Sequence, residues 1–116
     1  MLKLNCDALV GDMSSCVAII ARDGRGKLVF AIFKKVNTNI PFQAEANAIL
    51  LVVHIAALNF SFCRCVIESD CNVCIDAIKV GGNLVPCRLL NFVDLVKNVI
   101  SDSDHVFFNW VHREAN

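Results

Sequence analysis

The sequence predicts an α/β domain built on a mixed sheet, and three observations carry that reading. β-rich runs at the start of the chain are broken by turn residues, first Gly11-Asp12-Met13-Ser14-Ser15 and then Asp23-Gly24-Arg25-Gly26. An Asp-Gly step between two β-rich runs is a strong hairpin signal. An Ala- and Leu-rich stretch, Phe42–Leu58, then has the composition and length of a helix. Behind it Arg64–Ser69 carries the apolar run Cys65-Val66-Ile67 between polar residues, the pattern of a strand buried on both faces. Strand, helix and strand in one sheet form a parallel pair with a right-handed crossover. Antiparallel hairpins and a parallel crossover therefore share one sheet, with helices packed on it.

Taken in order, Met1–Ala8 alternates, with Leu2, Leu4 and Cys6 on one side and Lys3, Asn5 and Asp7 on the other, which predicts the first strand. Cys16–Arg22 is the second, rich in β-branched residues, and Lys27–Lys35 returns as the third. The third strand puts Leu28, Phe30 and Ile32 on one side and Val29, Ala31 and Phe33 on the other. Val36–Pro41 breaks the sheet, and Pro41 suits a helix entry. The helix over Phe42–Leu58 is apolar round most of its circumference, so it is expected to be a buried crossover, with Asn59 as its stop. After the Arg64–Ser69 strand comes a short helix over Cys71–Val80, ended by Gly81-Gly82. Pro86 opens a further helix with a stripe of Leu89, Phe92, Val93, Val96, Val99 and Ile100. Asp102-Ser103-Asp104 is a turn, and Val106–Val111 is the last strand.

The chain of 116 residues fits one domain, 1–116, with one core. At 56% hydrophobic and 19% charged it is far from disordered composition. The longest apolar candidate for a membrane span, Ala48–Leu58, is short and interrupted by His54, so no membrane partner is expected. Met1-Leu2-Lys3-Leu4-Asn5 lacks a basic-then-apolar signal pattern, so the expected location is intracellular, nuclear or cytoplasmic, and not secreted. Formal net charge is zero, which argues against purely electrostatic binding to nucleic acid. Seven cysteines, an odd number mostly in apolar surroundings, read as reduced thiols in such a compartment.

Three acids need an explanation. Asp70 stands just past the end of a buried strand, where open α/β sheets place their ligands, although Asp is also a favoured helix N-cap. Glu45 lies near the start of a helix that carries no other acid; the macrodipole or a capping box would account for it equally well. Asp7 falls on the first strand, where it is either a solvent-facing residue or a carboxylate that needs a partner. Taken together, they sit on the first strand, the crossover helix and the end of the strand to which that helix leads. Converging carboxylates repel and are stable around cations. Oxygen donors of this kind select Mg²⁺ or Mn²⁺, and a pair of such ions can activate water for phosphodiester cleavage.

Asn5-Cys6-Asp7-Ala8, Arg22-Asp23-Gly24-Arg25-Gly26, Gln43-Ala44-Glu45-Ala46, Ile67-Glu68-Ser69-Asp70 and Val111-His112-Arg113-Glu114-Ala115-Asn116 follow in order along essentially the whole chain. This series resembles the plant retroelement-type ribonuclease H domain. The resemblance implies the ribonuclease H-like fold, a five-stranded mixed sheet of order 3-2-1-4-5 with helices on both faces. It implies cleavage of the RNA strand of an RNA–DNA hybrid at a two-metal site of Mg²⁺ or Mn²⁺. Carried over by position, Asp7, Glu45 and Asp70 are the catalytic and metal-binding residues. The chain departs from that pattern in three places. Ala8 stands where the family usually has Gly, and Gly81–Val85 has no basic residue where cellular members carry a basic handle. The family's final helix, with its fourth acid, would follow Asn116 and is expected to be missing from this sequence.

Other candidates read as structural. Cys71-Asn72-Val73-Cys74 is a C-x-x-C opening a helix, a context used by thiol redox proteins, but its middle pair is not Gly-Pro and no second C-x-x-C completes a zinc site. Buried thiols are the plainer reading. His54 is expected at a polar edge or as a satisfied core residue, His112 does not match a catalytic offset, and Trp110 is expected in the core. Three functions follow in order of preference: a hybrid-cutting nuclease domain, expected to be a monomer; a degenerate nucleic-acid-binding or interaction module of the same fold; and a thiol redox domain using Cys71 and Cys74.

Overall fold

The computed structural model describes residues 1–80, 87–101 and 103–112, with the side chains of residues 87 and 88 left aside. The proposed stop at Gly81-Gly82, the Pro86 helix entry, the turn at Asp102 and the Arg113-Glu114-Ala115-Asn116 motif lie outside the described residues. The chain runs β1 (Leu2–Val10), β2 (Ser15–Asp23), β3 (Leu28–Val36), α1 (Pro41–Asn59), β4 (Cys65–Ser69), α2 (Asn72–Val80), α3 (Cys87–Ile100) and β5 (Val106–Trp110). The sheet order is β3-β2-β1-β4-β5, with antiparallel β3·β2·β1 and parallel β1·β4·β5. Every expected element is present, within two residues at each end.

The second hairpin turn, between β2 and β3, is held by Asp23. Its Oδ1 accepts the N–H groups of Arg25 and Lys27, both at 2.9 Å, while its carbonyl accepts Gly26 N–H at 2.9 Å. Gly26 sits at φ +83°, a left-handed conformation that glycine adopts without steric cost. Asp23→Ala should therefore cost about 1 kcal/mol. In a domain of this size that is a fall of roughly 3–6 °C in Tm by thermal melting. A β-bulge at Ala21/Arg22 follows directly, and it explains why Leu28 is exposed although Phe30 and Ile32, on its predicted side, pack on the core.

Alternation in the strands assigns one face to the core. Leu2, Leu4, Cys6 and Ala8 of β1 register with Val17, Ile19 and Ala21 of β2 and with Cys65 and Ile67 of β4, and all are buried. Onto them α1 lays Ala44, Ala48, Ile49, Val52, Val53 and Ala56. The small residues let the helix approach closely. By length and composition α1, at 19 residues, could cross a bilayer, which corrects the shorter stretch read from the sequence; its buried residues are part of this core. α2 adds Cys74, Ile75 and Ile78, and α3 adds Leu89, Phe92, Val93 and Val96.

All three described helices thus feed one core on one face, and among the described residues no helix covers the other. The reason is topological. β3, β4 and β5 point the same way, and both crossovers, β3 to β4 and β4 to β5, travel in the same direction across the sheet. Right-handed crossovers with the same sense of travel land on the same side. The open face carries Lys3, Asn5, Asp7, Ala18, Ile20, Arg22, Phe33, Val66 and Phe107, with Phe33 69% exposed.

Candidate metal centre

The register of β1 and β4 brings the first two acids together. Leu2 pairs with Cys65 and Asn5 with Glu68; continuing the register by two places Asp7 level with Asp70. Because β4 ends at Ser69 while β1 continues to Val10, the sheet no longer separates its two faces there. Glu45 reaches the same point from α1, on the covered face. One carboxylate oxygen from each of Asp7, Glu45 and Asp70 lies within 4.8 Å of the other two. Asp7 is exposed, while Glu45 and Asp70 are half-buried.

Asp7 faces solvent, as its ordinary strand reading has it, but the helix-cap accounts of Glu45 and Asp70 do not fit the local structure. α1 starts at Pro41 and has no acid in its first turn, so Glu45 lies too far along to cap it. Thr38 ties down the chain just ahead of the helix: its Oγ1 accepts Ile40 N–H at 3.2 Å and donates to Gln43 Oε1 at 2.7 Å. α2 starts at Asn72, which leaves Cys71, not Asp70, in the N-cap position. Asp7 Oδ1 accepts Ala8 N–H at 2.8 Å, a bond within the strand that also fixes the carboxylate's direction.

The structure adds residues that the sequence reading passed over. Trp110, expected in the core, is 47% exposed, because β5 is an edge strand and its last residue clears the helices. Its indole Nε1–H donates to the Asp70 carbonyl at 3.1 Å, and Val111 N–H donates to the Ser69 carbonyl at 2.9 Å. Ser69, buried at 1% exposure, accepts Cys71 N–H on its Oγ at 3.1 Å. The turn bearing Asp70 is therefore fixed from both sides. The parallel register pairs Ser69 with Trp110, so the contact was available to any reading that aligned β4 with β5. His112 packs against the Trp110 ring, with centroids 5.6 Å apart. His54 is exposed, with Nδ1 at 2.9 Å from the Leu50 carbonyl of its own helix, so it is a polar-edge residue.

The thiols report the field of this cluster. Cys6 lies beneath it, and burial, followed by the Glu45 carboxylate, pushes its thiol up to about 12; Asp7 and Asp70 add to the shift and a Ser69 hydrogen bond opposes it. At the far end of β4, burial and the neighbouring Cys63 push Cys65 up to about 12. A hydrogen bond from the Cys74 side chain lowers Cys71 to about 6 against its partial burial, and the same bond pushes Cys74 up. Cys6 and Cys65 stay protonated in the fold to about 12, whereas the unfolded chain releases those protons from about 9. The unfolded state then holds fewer protons, so stability must fall as pH rises through that window. Thermal melts of the reduced chain should show Tm falling steadily from pH 9 towards 12, and Cys6→Ala should flatten part of that slope.

The donor set suits a hard divalent cation. Ligand oxygens on one octahedral Mg²⁺ stand about 3 Å apart when adjacent and about 4.2 Å when opposite. Three carboxylate oxygens inside 4.8 Å of one another need only small side-chain rotations to meet that spacing. On the open face a groove of about 400 Å³, lined by Asn5, Asp7, Ala18, Ile20 and Arg22, leads to Asp7. A cleft of about 450 Å³ that includes Arg64, Lys79, Lys97 and Phe107 borders the opposite end of β4 and takes no part in this cluster.

The sequence pattern of the reverse transcriptase-like family matches residues 5–116. No curated protein matches the chain. Among solved structures the chain is similar to RNase H1 from the halophilic archaeon Halobacterium salinarum, at 16% identity and TM-score 0.82, covering 98% of this chain and 87% of that one. It is similar to LC11-RNase H1, isolated from compost by a metagenomic approach and solved in complex with an RNA/DNA hybrid, at 9% identity and TM-score 0.83, covering 100% and 88%. It is also similar to the RNase H domain of prototype foamy virus, at 8% identity and TM-score 0.73, covering 95% and 76%. At these identities the likeness is one of fold.

Proposed function

The chain belongs to the reverse transcriptase-like family, and on that premise we propose that it is a ribonuclease H-type nuclease domain that cuts the RNA strand of RNA–DNA hybrids with Mg²⁺ or Mn²⁺. The observation that carries this reading is the meeting of Asp7, Glu45 and Asp70 from three separate elements. Three carboxylates brought together repel one another, and a cation among them offsets that repulsion.

Asp7, Glu45 and Asp70 are the residues that would hold the ions. Divalent cations bound there supply activation of water and neutralisation of charge on the scissile phosphate. The chain's own residues hold the geometry. β1 and β4 fix two of the carboxylates through their register, α1 presents the third, and Trp110 and Ser69 keep the Asp70 turn from rotating. The groove beside Asp7 gives a nucleic-acid backbone a path to the acids, and Arg22 in its wall offers a phosphate contact. The hybrid complex of LC11-RNase H1 supports this choice of partner. The domain works inside the cell on this reading.

The test is a hybrid labelled on the RNA strand, incubated with the purified chain and Mg²⁺ or Mn²⁺. RNA-strand cleavage that EDTA abolishes, with duplex DNA left intact, is the expected result. A folded chain that leaves the hybrid at its EDTA baseline in both metals would overturn it. Zero net charge and Ala8 beside Asp7 favour one second reading, a module of the same fold that binds nucleic acid without cutting it. A gel shift of the uncleaved hybrid would select that reading.

A further inference from the structure

The metal centre leaves one adjacent pair of reactive side chains unused. Cys71 and Cys74 stand one turn apart at the start of α2, immediately after Asp70. As the residue just ahead of α2 and the third residue within it, they share one side of the helix. Cys71 is half-buried and open to solvent on one side, while Cys74 is fully buried at 0% exposure. The backbone between them is pinned. Cys71 N–H donates to Ser69 Oγ at 3.1 Å, and its carbonyl accepts Ile75 N–H at 3.1 Å. Two thiols thus share one side of a fixed turn, one reachable from outside and one sealed from solvent.

We propose that Cys71 and Cys74 form a redox modification site, closed to a disulfide by a small glutathione-class disulfide and reopened by the matching thiol. Cys71 sulfur, as its thiolate, attacks one sulfur of the small disulfide; a Cys71 mixed disulfide forms and one thiol leaves, taking up a proton. Cys74 then gives up its proton, attacks the Cys71 sulfur and expels the second thiol. The two protein thiols lose two electrons in all, and the small disulfide gains them as two free thiols. The order is set by exposure, since only Cys71 can meet the first reagent. The consequence for the site, which rests on the nuclease reading, follows from the peptide bond shared by Asp70 and Cys71. Closing the disulfide pulls on the Cys71 N–H to Ser69 Oγ bond that holds the Asp70 turn, so the oxidised chain holds Mg²⁺ about tenfold more weakly, the low end of what a disturbed supporting contact costs a metal site.

The experiment equilibrates the full chain, native and without denaturant, in graded mixtures of reduced and oxidised glutathione, alkylates the remaining thiols and maps the peptides by mass. Loss of two hydrogens between Cys71 and Cys74, at lower oxidant than any other pair, is expected. Cys74→Ser should stop at a glutathione adduct on Cys71, and Cys71→Ser should leave Cys74 as a free thiol. Cys63 and Cys65, also neighbours, with Cys65 buried, are the internal control. Closure of that pair first, or no adduct on Cys71 in Cys74→Ser, would overturn the site. Mg²⁺-induced shifts in Tm, measured on oxidised and reduced chain, separate the two ideas. A weaker shift after oxidation supports both, and an equal shift overturns the coupling. A mapped disulfide with no Mg²⁺ shift in either state upholds the modification site and counts against the metal reading alone.

Discussion

Asp70→Asn should abolish hybrid cleavage while raising the melting temperature of the metal-free chain. The two halves of that expectation come from one fact, the crowding of three carboxylate oxygens within 4.8 Å. At that spacing like charges near a protein surface repel by a few kcal/mol before solvent screening, about 3 kcal/mol per pair at an effective dielectric of 20. Replacing one charge by an amide of the same shape removes two of the three repulsions and no packing, because Asp70 is only half-buried. The same change removes a hard anionic donor. Loss of a ligand should exceed the 10–100-fold penalty typical of losing a mere supporting partner, so cleavage should fall by more than about 100-fold. The Mg²⁺-induced rise in Tm should vanish with it. Trp110 and Ser69 act on the backbone of this turn, not on the carboxylate, so the asparagine should remain where the aspartate was. Unchanged cleavage in a folded Asp70→Asn chain would remove the nuclease reading. A fall in metal-free Tm would show that the acid serves the fold.

Most of this fold can be read from local pattern. Asp23-Gly24 between alternating runs specifies the hairpin, because the aspartate Oδ1 accepts the N–H groups of Arg25 and Lys27 and Gly26 takes the positive φ. The apolar run at Cys65-Val66-Ile67 specifies a central strand, and all three residues are buried although no described helix covers the face that Val66 takes. The acids were legible for a different reason. Each had an ordinary local explanation, and only their placement on β1, α1 and the end of β4 made a common destination plausible. Neither acid holds a cap position: Ile40 is the N-cap of α1, and Cys71 stands directly before α2.

What the sequence did not reveal depends on contacts across strands or on which side a crossover lands. Trp110 looked like a core residue because it is large and apolar at the end of a strand. Its use as a donor to the Asp70 carbonyl depends on β5 lying next to β4 in parallel register, 40 residues away in the chain. Leu28 falls by alternation on the side of Phe30 and Ile32, and the bulge at Ala21/Arg22 shifted it to the other. Both misreadings have the same cause. Alternation gives the side a residue takes in an unbroken strand, and neither edge position nor a bulge is written in it.

The two faces of the sheet make opposite predictions for large-to-small substitutions. Ile67 sits mid-strand in β4, fully buried, in register with Leu4 on one side and Phe108 on the other, on the face covered by the helices. Ile67→Ala leaves a cavity that a sheet flanked on both sides cannot close, and should cost 2–5 kcal/mol, read as a lowered midpoint in urea at unchanged slope. That is a large share of the roughly 5–15 kcal/mol by which a domain of this size is stable. Phe33 is the larger side chain, yet it stands 69% exposed on the open face. Phe33→Ala should shift stability by less than about 0.5 kcal/mol. A ranking by side-chain size reverses this order, so the pair tests which face holds the core. It also completes the contrast with Asp70. Ile67→Ala should lose stability yet still cut the hybrid at a temperature where it remains folded, because Ile67 is directed into the core and is none of the three acids. Asp70→Asn should do the reverse. If both variants lost activity in proportion to their loss of stability, the three acids would be part of the scaffold and the chemistry would have to be sought elsewhere in the chain.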